Sequence, residues 1–288
     1  MSTNDENPAV QHQSDAASAA PLAAEQAQQA AAFGAAWNTW HEARLRVVGA
    51  PHGLASLRFT HWLTDEATAY EGAPGIWKAD DTGIVGEGLA GSGLTTLDGA
   101  EVLSDRVELL HGDELRFGEI LLRGMERDGA FALRVLDPQT PGRVALQDIA
   151  AFSPDPAWVR EARFVPSSGG TVETTSIDGH VSEDTPVGTV QLDLDGEQIA
   201  FDVTGGPSGL WAVIADGTSG AKDEHGTYRF RFLSMPAPAA DGRVVVDFNR
   251  LYVPPCAFSD HYVCPLPAAN NRFTTQIPVG ERFPVLAS

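Results

Sequence analysis

The strongest constraint on the fold is the dipeptide Asp-Gly, which recurs between short apolar runs. Both residues tolerate the positive φ angles that tight hairpin turns require. The pairs begin at six positions, Asp98, Asp128, Asp178, Asp195, Asp216 and Asp241. Turns this frequent leave room for short strands but not for helix-connected parallel strands. The sequence therefore predicts a mainly β fold built from antiparallel hairpins.

The clearest hairpin is predicted over residues 190–203. Apolar side chains alternate with polar ones on both sides of its Asp-Gly turn, at Val190, Leu192, Leu194, Ile199, Phe201 and Val203. This period of two is typical of a strand that buries one face and exposes the other to water. Further strands are predicted over residues 101–110, 114–122, 130–136, 158–165, 210–215, 227–233 and 243–248.

Composition divides the chain into four parts. Residues 1–21 are polar and lack apolar periodicity, which predicts a disordered tail. Residues 22–48 are rich in helix formers and place Trp37, Trp40 and Arg44 on one stripe, which predicts a helix docked on the main body. Prolines cluster between residues 137 and 156, so we expect a first β domain at 49–140 and a second, antiparallel one at 141–288.

The charge balance excludes some classes of partner. Asp and Glu number 39 and Lys and Arg 19, a formal net charge of -20. Such a field repels nucleic-acid backbones and anionic membrane surfaces, so neither is an expected partner. No apolar run reaches the roughly 18 residues of a membrane helix, and residues 1–20 lack the basic start and apolar middle of a secretory signal. We therefore expect a cytoplasmic protein.

A candidate nucleophile follows the predicted strand 210–215. Gly217-x-Ser219 resembles the first part of the Gly-x-Ser-x-Gly nucleophile elbow, and Asp216 and His225 lie nearby in sequence. The elbow exposes its serine on a strand-to-helix turn, whereas a polar loop follows here. A hairpin loop, in which hydroxyls satisfy backbone groups, explains the same residues. A hydrolase that uses Ser219 is therefore the alternative hypothesis.

The two cysteines allow three interpretations. Cys256, His261 and Cys264 have a spacing that offers three ligands to zinc, and a metal at these residues is a second form of the hydrolase hypothesis. The cysteines also suit a hairpin-closing disulfide or two buried thiols. Buried thiols are favoured, because disulfides are uncommon in the cytosol and free cysteine behaves as a small hydrophobe. No metal or other cofactor is predicted.

Polar residues occur where the last predicted strand should be burying itself, at Asp247, Asn249 and Arg250. They suit either a buried charge-assisted network or the floor of a ligand pocket. Together with the loop after residue 215, they make up the predicted ligand site, Asp216, Thr218, Ser219, Tyr228, Asp247, Asn249 and Arg250. The leading hypothesis is a non-enzymatic protein that binds an unknown small molecule or protein at these residues.

Several motifs carry a resemblance to a known family. They are Trp37-x-x-Trp-x-x-x-Arg44, Phe152-Ser-Pro-Asp-Pro-Ala-Trp158, Asp216-Gly-Thr-Ser-Gly220, Asp241-Gly-Arg-Val-Val-Val-Asp-Phe-Asn-Arg250, Pro254-Pro-Cys-Ala-Phe258 and Cys264-Pro-Leu-Pro267. In this combination the chain resembles the prokaryotic family of domain of unknown function 1684 (DUF1684). The family has no established activity, so the resemblance implies kinship and no particular chemistry.

A second resemblance concerns the first β domain. The segment His111-Gly-Asp-Glu-Leu-Arg-Phe-Gly118 is similar to the closing strands of forkhead-associated domains, which are β-sandwiches that bind phosphothreonine. The resemblance implies such a sandwich over residues 49–140. The Gly-rich segment 71–96 lacks the Arg, Ser and His cluster of the phosphopeptide site, so the binding activity is not implied.

Overall fold

The structure, a computed structural model, describes residues 9–194, 196–206 and 209–287. Over these ranges the chain forms one long N-terminal helix followed by several antiparallel sheets. The predicted fold class, mainly β with a leading helix, is confirmed. Within the same ranges, no helix has the length and apolar character to cross a membrane.

The N-terminal helix, α1 (Ala9–Val48), begins earlier than expected. It includes residues 9–21, which the sequence assigned to a disordered tail, because this stretch is rich in alanine, the strongest helix former. Residues 1–8 of that tail lie outside the described residues. In the C-terminal part of α1, Trp37 is 7% exposed and Val48 0%, whereas residues 27–32 are exposed.

Two antiparallel sheets form the N-terminal half. Their strands are β1 (Leu57–Trp62), β2 (Ile76–Asp80), β3 (Gly83–Glu87), β4 (Leu94–Thr95), β5 (Arg106–Leu109), β6 (Glu114–Phe117), β7 (Ile120–Arg127) and β8 (Ala130–Leu136). The larger sheet has the order β1-β8-β7-β6-β4 and the smaller one β2-β3-β5. Trp77, Leu122 and Val135 are fully buried in one cluster to which both sheets contribute, so the two sheets share a hydrophobic core.

A six-stranded sheet dominates the C-terminal half. The elements are α2 (Pro141–Ala145), β9 (Leu146–Ala151), β10 (Val159–Pro166), β11 (Val172–Thr175), β12 (Val181–Asp184), β13 (Gly188–Leu194), β14 (Glu197–Gly206), β15 (Gly209–Ile214), β16 (Arg231–Met235), β17 (Arg243–Asp247) and β18 (Glu281–Leu286). The sheet order is β16-β15-β14-β13-β10-β17, while β11 pairs with β12 and β9 with β18. Val190, Phe201 and Leu233 lie in its buried core.

The predicted strands are confirmed in part. The hairpin over 190–203 is β13 and β14, although Asp195 lies outside the described residues. The single strand predicted over 114–122 is wrong, because Gly118, with φ 60, turns the chain between β6 and β7. The strand predicted over 227–233 begins only at Arg231, since the Thr227 amide is hydrogen-bonded to Thr218 in a loop.

The proline-cysteine loop (residues 254–267) joins the two halves. The Ser259 hydroxyl donates to the Leu57 carbonyl at 2.7 Å, and the Thr60 hydroxyl donates to the His261 carbonyl at 2.8 Å. Leu57 and Leu136 share a buried cluster with Cys256, Tyr262 and other C-terminal residues. The predicted division into domains at residue 140 falls between β8 and α2, and it stays a prediction.

Candidate functional site

The loop after β15 is organised by the Asp216 carboxylate. Its Oδ1 accepts hydrogen bonds from the Thr218 amide at 2.8 Å and the Thr218 hydroxyl at 2.7 Å. Ser219 closes the turn, because its hydroxyl oxygen accepts from the Asp216 amide at 3.0 Å. Short polar side chains that bond backbone two or three residues away stabilise turns in this way. The local sequence therefore folds as a capped loop.

This loop does not form a nucleophile–base pair. His225 is exposed and its Nε2 lies 3.5 Å from a Glu224 carboxylate oxygen, while Ser219 is hydrogen-bonded to the backbone of Asp216. A serine hydrolase needs its base within hydrogen-bond reach of the hydroxyl. Among the residues that the structure describes, no histidine or carboxylate is hydrogen-bonded to the Ser219 hydroxyl, so the Ser219 hypothesis has no base there.

The Asp216 carboxylate forms an ion pair with a buried arginine. Arg231 Nη2 lies 2.7 Å from Asp216 Oδ2, and both side chains are fully buried. The same guanidinium donates to the carbonyls of Ile277 and Val279. Burial lowers the pKa of Arg231, and the Asp216 carboxylate opposes that effect. A charge removed from water this completely persists only when it is paired and hydrogen-bonded.

A second buried carboxylate continues the network towards α1. Glu281 is fully buried, and its Oε2 accepts from the Val253 amide at 2.9 Å. Its Oε1 lies 3.3 Å from Arg44 Nε, and Arg44 also donates to the Val253 carbonyl at 2.8 Å. Arg231 Nη1 reaches the Glu281 carbonyl at 3.4 Å. Burial raises the pKa of Glu281 to about 6, and Arg44 opposes the rise.

Asp247, Asn249 and Arg250 form a separate cluster beneath α1. The Asn249 amide group donates to the Asp155 carbonyl at 2.9 Å and its oxygen accepts from the Asp155 amide at 2.8 Å. Asp247 accepts from both Asn249 and Arg250. These bonds tie the end of β17 to the segment before β10.

The stripe of α1 contacts this second cluster directly. Trp37 Nε1 donates to the Asn249 carbonyl at 2.7 Å, and the Arg250 guanidinium lies 5.5 Å from the centre of the Trp40 ring. Because Arg44, one further turn along, reaches Glu281, the helix side chains connect the two polar clusters of the C-terminal half.

Tyr228 belongs with the cysteines. Its hydroxyl donates to the Cys256 carbonyl at 3.0 Å and lies 3.7 Å from the Cys256 sulfur. Burial raises the pKa of Tyr228 to about 12. Cys256 and Cys264 are both buried and free, and the Cys256 amide lies 3.4 Å from Cys264 Sγ. A hydrogen bond between the two thiols lowers the pKa of Cys256 and raises that of Cys264.

Among the described residues, His261 does not complete a ligand set with the two cysteines. His261 is exposed, and its ring packs edge-on against Phe59 at 5.3 Å between centroids. Over the described ranges, no three His, Cys, Asp or Glu side chains are grouped so that they would hold a metal ion. The alternative in which Cys256, His261 and Cys264 bind zinc therefore has no ligand set in this structure.

The predicted ligand residues thus lie in three places. Asp216, Thr218 and Ser219 form the capped loop, Tyr228 contacts the cysteines, and the residues after β17 support α1. The structure connects these places through buried hydrogen bonds and does not line one cavity with them. Ligand binding at these three places remains a prediction.

A cleft that the sequence does not predict opens beside the hairpin β11–β12. It has a volume of about 50 Å³ and is bounded by that hairpin, by β14 and β15, and by the end of the proline-cysteine loop. Its walls are mostly apolar, including Trp211, Val213 and Leu266. Asp184 and Asp202 add two carboxylates to the lining. This volume exceeds the roughly 10–15 Å³ that one water requires, so a small chemical group fits.

The Trp211 indole forms a fixed wall of the cleft. Its Nε1 donates to the Tyr252 hydroxyl at 3.2 Å, and its ring packs edge-on against Phe232 with centroids 4.8 Å apart.

The carboxylates of the cleft lack basic partners. Asp202 accepts from the Asn270 amide group at 3.2 Å, and within the described ranges neither Asp184 nor Asp202 has a lysine or arginine partner. The only signal in the sequence is the place of Asp202 on the polar side of the predicted hairpin. That side was assigned to water, because the covering hairpin β11–β12 was not predicted.

Comparisons with known proteins give a family match over part of the chain and no activity. No curated protein matches the chain. The solution NMR structure of the uncharacterised protein from gene locus rrnAC0354 of Haloarcula marismortui is 29% identical, over 47% of this chain and 76% of that chain, with a TM-score of 0.38. At that TM-score the likeness carries no argument. Residues 145–282 match the model of a family described as a protein of unknown function, DUF1684, and this match supports the resemblance that the motifs carry.

Proposed function

We propose that the protein is a non-catalytic binding protein that takes a small organic ammonium ion in the cleft beside Trp211. The observation that carries the proposal is the pair of carboxylates, Asp184 and Asp202, which line one apolar cleft without a lysine or arginine partner among the described residues. An ammonium group supplies the positive charge that these carboxylates lack, and its N–H groups add charge-assisted hydrogen bonds.

The walls of the cleft suit the rest of such a ligand. An alkyl group attached to the ammonium is removed from water against Val213, Leu266 and the Trp211 ring. The indole face also attracts a cation through its quadrupole. The formal net charge of -20 raises the local concentration of cations around the protein and lowers that of anions.

The remaining parts of the proposal concern family, architecture and cellular setting. We place the whole chain beyond its first residues in the DUF1684 family, and the N-terminal sandwich among forkhead-associated-like folds without their phosphopeptide site. Two buried free thiols suit a reducing compartment, so we place the protein in the cytoplasm. Its negative charge argues against nucleic acid and anionic membranes as partners.

The test compares three probes of the same size, n-propylammonium, n-propanol and propionate, by isothermal titration calorimetry at low ionic strength. Only n-propylammonium should bind saturably. Asp184→Asn or Asp202→Asn should weaken that binding by about tenfold or more, because a hydrogen bond to a charged group contributes about 1.5–3 kcal/mol.

Glu183→Gln is the matched control, because Glu183 is exposed and its side chain points to the opposite face of β12 from Asp184. It removes the same charge from the protein but not from the cleft, so binding should be unchanged. If Glu183→Gln and Asp184→Asn weaken the binding of propylammonium equally, the effect comes from the net charge of the protein and not from the cleft. Equal binding of propanol and propylammonium would overturn the proposal.

A further inference from the structure

Cys256 and Cys264, the two cysteines of the chain, lie against each other in the proline-cysteine loop. Cys256 belongs to a short 3-10 helix (Pro255–Ala257), and its backbone amide lies 3.4 Å from Cys264 Sγ. The two thiols are also hydrogen-bonded to each other. A disulfide forms only between cysteines whose side chains the backbone already brings together, and the contact between the two thiols meets that condition.

The surroundings of the two thiols are apolar. Cys256 is 4% exposed and Cys264 5%, and they share a buried cluster with Leu57 and Leu121 of the N-terminal sheet and with Phe230. A disulfide has no ionisable proton, so its formation removes two titratable groups from a site with little water. Burial also restricts access to the sulfurs, which favours a small neutral oxidant such as hydrogen peroxide over a bulky one such as oxidised glutathione.

The two thiols differ in their readiness to react. The Tyr228 hydroxyl lies 3.7 Å from Cys256 Sγ, and the exposed Arg229 places its guanidinium 5.6 Å from the centre of the Tyr228 ring. The hydrogen bond with Cys264 lowers the pKa of Cys256, and Tyr228 and the charge of Arg229 lower it as well, while burial opposes them. The same thiol pair raises the pKa of Cys264. Because the thiolate is the reactive form of cysteine, Cys256 is the attacking group.

We infer that Cys256 and Cys264 are a redox modification site, at which hydrogen peroxide converts the two thiols into a reversible disulfide. The Cys256 thiolate attacks one peroxide oxygen, the O–O bond breaks, and the other oxygen leaves as hydroxide, which takes up the proton that Cys256 lost and becomes water. Cys256 is then a sulfenic acid. The Cys264 thiol attacks the sulfenic sulfur, so that the S–S bond forms, the S–O bond breaks, and the hydroxide leaves as water with the proton of Cys264. One peroxide is thus reduced to two waters, and a dithiol reductant reverses the change by thiol–disulfide exchange.

Oxidation acts on the segment that joins the two halves of the molecule. Ser259 and His261, which exchange hydrogen bonds with Leu57 and Thr60, lie between the two cysteines in the sequence. A cross-link restricts the unfolded chain, so the oxidised protein should unfold at a higher urea concentration than the reduced one. Disulfides that do form in the cytosol are usually transient, as this one is. Neither cysteine lines the cleft beside Trp211, so the inference does not depend on ammonium binding.

The test treats the reduced full chain with a small excess of hydrogen peroxide at neutral pH and follows the product by mass spectrometry. The folded protein should lose two hydrogens, and no thiol should remain for alkylation in denaturant. Peptide mapping should find Cys256 bonded to Cys264 of the same chain, and dithiothreitol should restore both thiols. Oxidised glutathione at the same concentration should react more slowly by about tenfold or more, because the thiols are buried.

Variants separate the roles of the two thiols. Cys264→Ala should leave Cys256 as a sulfenic acid that dimedone traps, whereas Cys256→Ala should react with peroxide about tenfold more slowly than Cys264→Ala. Arg229→Gln should slow disulfide formation about threefold, since an exposed charge is screened by water. Arg163→Gln, the matched change at an exposed arginine of β10, should leave the rate unchanged.

The inference is overturned if peroxide forms no intramolecular disulfide in the folded protein, or if oxidised glutathione reacts as fast as peroxide. Equal reaction of the two alanine variants would overturn it as well. If those variants do not fold, the two arginine variants decide, and equal rates of disulfide formation in them would contradict the inference.

Discussion

Replacing Glu281 by glutamine should make the stability of this protein less dependent on pH in the mildly acidic range. The Glu281 carboxyl is fully buried, and burial raises its pKa from 4.5 to about 6. In the unfolded chain the same group returns to the value of a solvated glutamate. Glutamine keeps the acceptor for the Val253 amide and does not ionise, so Glu281→Gln isolates the titration.

The sign and size follow from the two pKa values. Because the folded pKa is the higher one, the folded state holds the proton more tightly than the unfolded state does. The stabilisation from this proton is complete below about pH 4.5 and is lost as the pH rises through about 6. At 1.36 kcal/mol per pKa unit, the loss amounts to about 2 kcal/mol of unfolding free energy.

Urea unfolding of both proteins at a series of pH values from about 4 to 7.5 measures the effect. The unfolding free energy of the wild type, minus that of Glu281→Gln, should fall by about 2 kcal/mol over this range, because the other titrating groups cancel in the difference. Glu161→Gln is the control, since Glu161 is exposed on β10, and its difference should stay constant within a few tenths of a kcal/mol. A constant or rising difference for Glu281→Gln would refute the reasoning.

Three further predictions concern the buried polar contacts. Arg231→Met leaves Asp216 buried without its cation, so urea unfolding should show a loss of about 3–5 kcal/mol; a loss below 1 kcal/mol would mean that the pair is not sealed from water. Trp37→Phe removes a buried hydrogen bond between α1 and the C-terminal half, and the same assay should show a loss of about 1–3 kcal/mol, whereas an unchanged unfolding curve would place the helix elsewhere. Thiol titration should find two slow-reacting groups in the native protein and two fast ones in denaturant, because Cys256 and Cys264 are free and buried. Mass mapping of the first native adduct should find it on Cys256, whose pKa the other thiol lowers, and a first adduct on Cys264 would contradict that hydrogen bond.

The parts of the fold that sequence predicts well are those with a local period. The stripe Trp37, Trp40 and Arg44 follows helical spacing, and all three side chains contact the C-terminal half. The alternation around residue 195 likewise marks β13 and β14. In both cases one face of the element is buried, so apolar residues recur in the sequence at the period of that element.

Strands without such a repeat were missed. After the buried Leu57, every residue of β1 is partly buried on either face, because the core lies on one side and the proline-cysteine loop on the other. β3 is buried along nearly its whole length and contains Gly83 and Gly86, and Gly86 leaves room for the Trp77 ring. An apolar run interrupted by glycine has no regular alternation of apolar and polar residues, so its sequence pattern does not indicate a strand.

The cleft beside Trp211 could not be predicted for a related reason. Asp202 is an ordinary polar residue of β14 until the hairpin β11–β12, which carries Asp184, and the end of the proline-cysteine loop enclose it beside Trp211. The surroundings of these side chains depend on contacts between residues far apart in the sequence, and composition contains no information on such contacts.

The buried network shows how such long-range pairing attaches the helix. Its four charged groups come from four segments, Arg44 on α1, Asp216 after β15, Arg231 on β16 and Glu281 on β18. Two are acidic and two basic, so the network is neutral only when all are present, and removing any one leaves a buried charge uncompensated. An α1 that detached would leave Glu281 with Arg231 as its remaining cationic neighbour and would expose the Val253 carbonyl that Arg44 covers. Docking of α1 and ionisation of Glu281 are therefore coupled. Ionisation at higher pH makes the ion pair with Arg44 more important for keeping α1 docked, although the same ionisation lowers the stability of the whole fold.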